Sequence, residues 1–148
     1  MSPMEPWLAG LLGGLLASVA FTFITLPVLK GFSLPSFVIS KVLHNESPGL
    51  WIVVGGSFLH YIYGGAVGVV FGILTVSIFD VVTLWLWGIA FGALMLVLAA
   101  ITWISLSGGV GQINSMPPRR RNVYALNAVA AHLVFGFLIG LITGDFRF

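Results

Sequence analysis

Two histidines, His60 and His132, lie inside apolar runs of the sequence, where an ionisable side chain is costly and usually has a partner or a function. An imidazole in such a place can ligate haem iron, hydrogen-bond a quinone, relay a proton or bond a backbone carbonyl. The segments HYIYGGAVGVVFG, from residue 60, and HLVFGFLIGLITG, from residue 132, share an aromatic three residues after the histidine and then glycine at every fourth residue. The matched spacing indicates one explanation for both histidines.

The composition places these segments in a membrane. Of 148 residues, 59% are hydrophobic and only 7% are charged, with a mean hydropathy of +1.11. Soluble domains carry roughly 25% charged residues, so this chain is predicted to be an integral membrane protein. The formal charge of +2 comes mainly from one basic cluster and does not indicate a nucleic-acid partner. Because cysteine is absent, disulfides and thiolate metal sites are excluded.

Four apolar runs are long enough to cross a bilayer, at about 7–29, 50–76, 81–105 and 123–144. We therefore predict an all-α fold with four transmembrane helices in a single membrane domain, residues 1–148. The connection after the first span is long, and a short helix beginning near Pro35 is predicted to lie flat at the membrane interface. An ordered loop packed on the end of the bundle is the alternative.

An internal repeat is predicted from the histidine segments. Alignment of His60 with His132 superposes the glycines of the second span on those of the fourth, which are Gly64, Gly68 and Gly72 on Gly136, Gly140 and Gly144. The chain then consists of two helical hairpins, 1–78 and 79–148. Because each hairpin has two spans, both copies enter the membrane in the same direction and form parallel repeats.

The first and third spans extend the repeat less strongly, since Gly10 and Gly14 resemble Gly88 and Gly92. Glycines at four-residue spacing form a glycine zipper, which lets helix backbones approach closely in lipid. The glycines of the second and fourth spans, rather than Gly10, are expected to make the closest contacts.

If the glycine ladders of the second and fourth spans face one another, His60 faces His132 at the same depth. Three interpretations remain open. The pair can fix helix packing through hydrogen bonds, ligate a haem b as two axial ligands, or serve a quinone or a proton relay. His60 and His132 are thus the candidate cofactor-binding residues, with haem b or quinone as the cofactor.

Basic residues near the span ends predict the topology. The first and third connections hold Lys30, Lys41 and the cluster Arg119, Arg120 and Arg121, whereas three of the four acidic residues lie on the opposite side. Both termini are therefore predicted outside the cell membrane, with the arginine cluster in the cytoplasm. The same arginines could instead contact anionic lipid or a partner.

The elements HYIYG at 60–64 and HLVFG at 132–136 resemble those of a loosely defined group of small bacterial and archaeal four-helix membrane proteins of unassigned function. Members of that group repeat H-x2-[YF]-G in the second and fourth helices. The resemblance covers most of the chain and implies a fold but no chemistry. The first connection is longer than the compact loops of the group, which suggests a partner-facing addition.

No predicted span carries an acidic residue, and the sequence has no phosphate loop, nucleophile elbow or carboxylate pair, so an enzyme acting alone is not expected. We expect an accessory subunit of a larger membrane complex, with a respiratory or other energy-transducing oxidoreductase of electron transport as the leading class. Its partners would be the lipid bilayer and other membrane subunits. A haem b or quinone-binding protein and a small oligomeric carrier or channel are the alternatives. For a pore, Ser18, Thr22 and Thr25 offer only a thin polar face, and such hydroxyls commonly bond their own helix.

Overall fold

The computed structural model describes residues 4–29, 50–78, 83–107 and 117–146, which form four α-helices. In chain order these are α1 (Pro6–Leu29), α2 (Leu50–Ser77), α3 (Leu84–Ser107) and α4 (Pro118–Asp145). Each helix is long and apolar enough to cross a membrane, and the shortest measure about 36 Å against a bilayer core of about 30 Å. The predicted all-helical fold, with four helices long and apolar enough to span a membrane, is confirmed for the described residues. The predicted interfacial helix near Pro35 lies outside the described residues.

The helices form a bundle in which α1 packs against α2 and α4, and α3 packs against α4. By contrast, α2 and α3 meet at few points along their length. The first and last described residues lie together, because the Met4 N–H donates to the carbonyl oxygen of Phe146 at 3.2 Å. Neighbouring helices run antiparallel, so α4 begins at the opposite end of the bundle from these residues.

Glycines bring the two helices of each hairpin into backbone contact. A Cβ atom placed on Gly10 would fall on the carbonyl oxygen of Gly68, and one placed on Gly88 would fall on that of Gly136. Helices can approach this closely only where side chains are absent. The glycine ladders of α2 and α4 therefore face their own hairpin partners, α1 and α3, and the expectation that they face one another does not hold for these contacts.

The contacts also set the register between the hairpins. Gly14 packs on Gly64 and Gly88 packs on Gly136, and these two partners are the glycines that the histidine alignment superposes. Gly88 thus takes the place of Gly14, one helical turn away from the predicted match with Gly10. A G-x3-G pattern can be aligned in either register, and only the packing distinguishes the two. The duplication itself stays a prediction.

The ladder of α4 ends one turn before its last glycine. A Cβ atom on Gly140 would fall on the backbone carbonyl of Leu84, whereas one on Gly144 would meet only Leu84 Cδ1, at an ordinary 3.8 Å. In α2 the corresponding terminal glycine, Gly72, still touches the backbone of α1, at Pro6. Close packing therefore extends further along the first hairpin than along the second.

Large side chains fill the space that the glycine contacts leave between the hairpins. The buried cluster contains three aromatic rings, Phe71, Phe91 and Phe135, together with Ala17, Val67, Leu84 and Ile139. The rings of Phe71 and Phe91 join α2 to α3, with centroids 5.2 Å apart. The core is thus built from one aromatic ring each of α2, α3 and α4.

We expect Gly10→Ala and Gly68→Ala each to lower the free energy of unfolding by about 1–3 kcal/mol, because the added methyl meets backbone atoms of the facing helix. The matched control is Gly144→Ala, which has room for a methyl and should change stability by less than about 0.5 kcal/mol. Unfolding of the purified protein in one detergent, followed by circular dichroism, measures all three. Equal tolerance at Gly10 and Gly144 would contradict the α1–α2 contact.

Candidate functional site

The two histidines meet at one side chain of α1. The ring centroid of Phe21 lies 5.1 Å from that of His60 and 5.0 Å from that of His132. We call these three residues the histidine cluster. The sequence predicted a pair formed by α2 and α4, and the structure adds a third member from α1. Phe135, one turn after His132, stands edge-on to Phe21 at 6.4 Å and closes the cluster on the side of α4.

The imidazole of His132 is held by its own helix. Its Nδ1 atom lies 2.8 Å from the carbonyl oxygen of Ala128, one turn earlier in α4. A carbonyl only accepts hydrogen bonds, so Nδ1 carries a proton and donates it. In the neutral ring, Nε2 is then left with a lone pair. His132 therefore fits the first of the three interpretations, helix packing through hydrogen bonds, because its imidazole bonds the backbone of its own helix.

His60 differs from His132 although the sequence around them matches. Its Nε2 atom is buried and has no hydrogen-bond partner among the described residues. Its ring packs against Phe21 and, at 5.9 Å, against the neighbouring ring of Tyr61. A buried polar atom without a partner is costly in an apolar interior, and such atoms in native proteins call for an explanation such as a water or a ligand. The two histidines are therefore chemically distinct.

The histidine cluster as it stands does not fit a haem b ligated by both rings. In such a site the porphyrin occupies the plane midway between the two axial ligands. Phe21 is nearly equidistant from both imidazoles, at 5.1 and 5.0 Å, so its ring centroid lies near that plane and within about 5 Å of the midpoint between them, where the macrocycle would lie. Haem ligation by this pair would require Phe21 to leave the cluster.

Several hydroxyls of the described helices bond the backbone of their own helix, whereas the buried Thr143 Oγ1 atom has no hydrogen-bond partner among the described residues. In α1, the hydroxyls of the expected polar face donate to carbonyl oxygens of the same helix. Ser18 Oγ donates to the Gly14 carbonyl at 2.8 Å, and Thr22 and Thr25 each donate to the carbonyl four residues earlier at 2.9 Å. On α3, Thr102 bonds Leu98 in the same way. These side chains offer little to a transported ion or solute.

A side-chain amide links α4 to α1, and it was not among the site residues predicted from the sequence. Asn127 Nδ2 donates to the backbone carbonyl of Ile24 at 3.0 Å, and the bond joins residues far apart in the chain. Side-chain hydrogen bonds between membrane helices contribute about 0.6 kcal/mol on average. The signal was present in the sequence, because Asn127 is an amide within an apolar span, but its partner is a backbone atom that no pattern identifies.

We expect His60→Ala and His132→Ala each to lower stability, and the double variant to lower it by less than their sum. Loss of one ring lets Phe21 turn from the other, so a coupling of about 0.5–1.5 kcal/mol is expected. Unfolding of the four proteins in one detergent measures this coupling. The control cycle combines His60→Ala with Thr102→Ala on α3, which should be additive. Full additivity of the histidine pair would show that Phe21 does not couple the two rings.

The chain matches no protein-family model, no curated protein and no solved structure. The resemblance suggested by the repeated H-x2-[YF]-G elements therefore stays a prediction. The function has to be inferred from the contacts, burial and charges of the described residues.

Proposed function

We propose that this chain is a small accessory subunit of a larger membrane complex and that it packs against its partner along one side, between α2 and α3. The proposal is supported by a difference between the two lateral interfaces that join the hairpins. We call the α1–α4 interface the closed seam and the α2–α3 interface the open seam. The class of complex, for which an energy-transducing oxidoreductase was expected, stays a prediction from sequence.

Small residues explain the closed seam. A Cβ atom on Gly13 of α1 would lie 3.0 Å from Thr143 Oγ1 and 3.3 Å from the carbonyl oxygen of Ile139 on α4. The absence of a side chain at Gly13 thus lets α4 approach α1. Asn127 and the histidine cluster add contacts further along the same interface.

Bulky residues occupy the corresponding places of the open seam. In the register set by the glycine contacts, Gly13 corresponds to Trp87 on α3, and Thr143 corresponds to Phe71 on α2. An indole and a phenyl ring are too large at these places for the backbone approach that Gly13 allows, in line with the few contacts between α2 and α3. The seam is bridged by the Phe71–Phe91 ring contact and by one sulfur contact, from the Tyr63 hydroxyl.

The Tyr63 hydroxyl is the observation that carries the proposal. Tyr63 is the midpoint of α2, is 56% exposed, and its Oη lies 3.8 Å from Met95 Sδ. A thioether is a weak acceptor, and hydrocarbon offers a hydroxyl no other partner. A neighbouring subunit with a carbonyl or hydroxyl at this depth would satisfy the donor. The exposed apolar side chains Leu59, Val70, Leu94 and Leu98 flank it at helical spacing on both sides of the seam.

A carrier or channel is less well supported. Ser18, Thr22 and Thr25 bond their own helix, and the described core cluster is aromatic and aliphatic. A path for a polar solute needs aligned groups that are free to bind it. The part of the chain that the structure describes does not supply such a row.

The orientation belongs to the same proposal. Glu5 and Asp145 lie at one end of the bundle, and Arg119–Arg121 begin α4 at the other. The excess of basic residues favours a cytoplasmic position for the arginine end. Both termini would then lie outside the cytoplasm.

Photo-crosslinking in native membranes tests the subunit proposal. A photoreactive amino acid at Leu94 or Val70, in the open seam, should give a discrete protein adduct. The matched control is Phe23 of α1, which is 72% exposed and should give only lipid adducts. Tyr63→Phe should lower the adduct yield at Leu94 because the acceptor on the neighbouring subunit loses the hydroxyl that donates to it.

Two outcomes would contradict the proposal. One is lipid adducts alone at both seam positions. The other is an adduct that contains two differently tagged copies of this chain and nothing else, which would favour a homo-oligomer.

A second candidate function, binding of a quinone, is favoured by the buried His60 Nε2 atom. A quinone carbonyl accepts a hydrogen bond, and a neutral imidazole protonated at Nε2 can donate one. Wild-type protein purified from membranes should then retain quinone in solvent extracts, and His60→Leu should lose it. Tyr61→Phe, which keeps the ring beside His60, is the control. Equal quinone content in the wild type and His60→Leu would rule out this role.

A further inference from the structure

The first turn of α4 displays three consecutive arginines. Arg119, Arg120 and Arg121 are all exposed, and consecutive helical residues are about 100° apart, so the three side chains fan around more than half of the helix. The first turn of α4 contains no acidic residue. The preference of basic residues for the cytoplasmic side explains why the arginines lie at one side of a membrane. It does not explain which anions neutralise their positive charge.

The chain supplies few anions at this end of the bundle. The acidic residues Glu5 and Asp145 lie at the opposite end of the bundle, about one helix length away from the arginines. The two connections attached at the arginine end add the basic residues Lys30 and Lys41 and only one acid, Glu46. Among the described residues, no acidic side chain lies at the arginine end of the bundle, and the two connections contain more basic than acidic residues in sequence, so we look for the counter-charges outside the chain.

The depth of the arginines in the membrane selects the kind of anion. The apolar part of α4 starts at Val123, within one turn of Arg121. The guanidinium groups are therefore placed at the level of the lipid headgroups, where the abundant anions are phosphodiesters. Guanidinium groups pair with phosphate oxygens through two parallel hydrogen bonds, and long arginine side chains reach along the interface to do so.

We infer that Arg119, Arg120 and Arg121 bind the phosphate groups of anionic phospholipids. A phosphatidylglycerol headgroup keeps its net negative charge, whereas the ammonium of phosphatidylcholine offsets its phosphate. The bound lipid is thus selected by charge, and the forked guanidinium geometry strengthens the contact. The inference does not depend on the proposed subunit function, because it concerns the first turn of α4 at one end of the bundle and not the midpoint of the open seam.

Native mass spectrometry of the purified protein, titrated with each lipid, tests the inference. Wild type should prefer phosphatidylglycerol to phosphatidylcholine. The preference should fall about five-fold for each arginine changed to glutamine, since one basic residue near an anionic surface contributes about 1 kcal/mol. The triple variant R119Q/R120Q/R121Q should bind both lipids alike. Replacement of all three by lysine should keep part of the preference, because charge remains and the fork is lost.

The adjacent exposed Asn122 provides the control, and Asn122→Ala should leave the preference unchanged. Circular dichroism and elution volume should be the same for all variants, because the three side chains are exposed. A triple glutamine variant that keeps the wild-type preference would overturn the inference. Inorganic phosphate that displaces phosphatidylglycerol at millimolar concentration would assign the arginines to a soluble phosphate compound instead of a lipid.

Discussion

Backbone contact at glycine is the interaction on which the rest of this bundle depends. Gly10, Gly14 and Gly88 bring each odd-numbered helix onto the carbonyl groups of the helix that follows it. In lipid, apolar side chains gain little by leaving their surroundings, so association has to come from close packing. The closest backbone contacts therefore lie within the two hairpins, and the interfaces between the hairpins are shaped mainly by the side chains on them.

Those remaining side chains make the two lateral interfaces unequal. On one side Gly13 lets α1 and α4 approach, and on the other side Trp87 and Phe71 occupy the matching positions. The two glycine-packed hairpins thus meet at one closed and one open seam. The open seam leaves Tyr63, at the midpoint of α2, half exposed with only a thioether as the acceptor for its hydroxyl, and the proposal of a protein partner rests on this contact.

The same inequality separates the two histidines. Phe21 of α1 contacts both imidazoles, but its counterpart on α3 in the glycine register is Met95, which contacts the Tyr63 hydroxyl instead. The single ring of Phe21 therefore packs against both histidines. His132 bonds its own helix, and His60 keeps a buried nitrogen available. A repeated motif has produced one packing residue and one residue with unused hydrogen-bonding capacity.

The sequence by itself determined that the chain is all-helical with four apolar spans, and it identified the regularly spaced glycines and the two histidines within those spans. These follow from composition and from local spacing, since a run of about 20 apolar residues can be satisfied in lipid only as a helix. The sequence could not determine which glycine ladder faces which helix. A stripe of glycines shows that another helix can pack closely there, but it does not identify that helix. The tertiary structure decided that each ladder faces its hairpin partner, and that Gly88 takes the place of Gly14. It also brought Phe21 to both histidines and Asn127 to the Ile24 carbonyl. These contacts join residues distant in the chain, and they depend on the size of side chains across several interfaces, which no periodicity in one segment records.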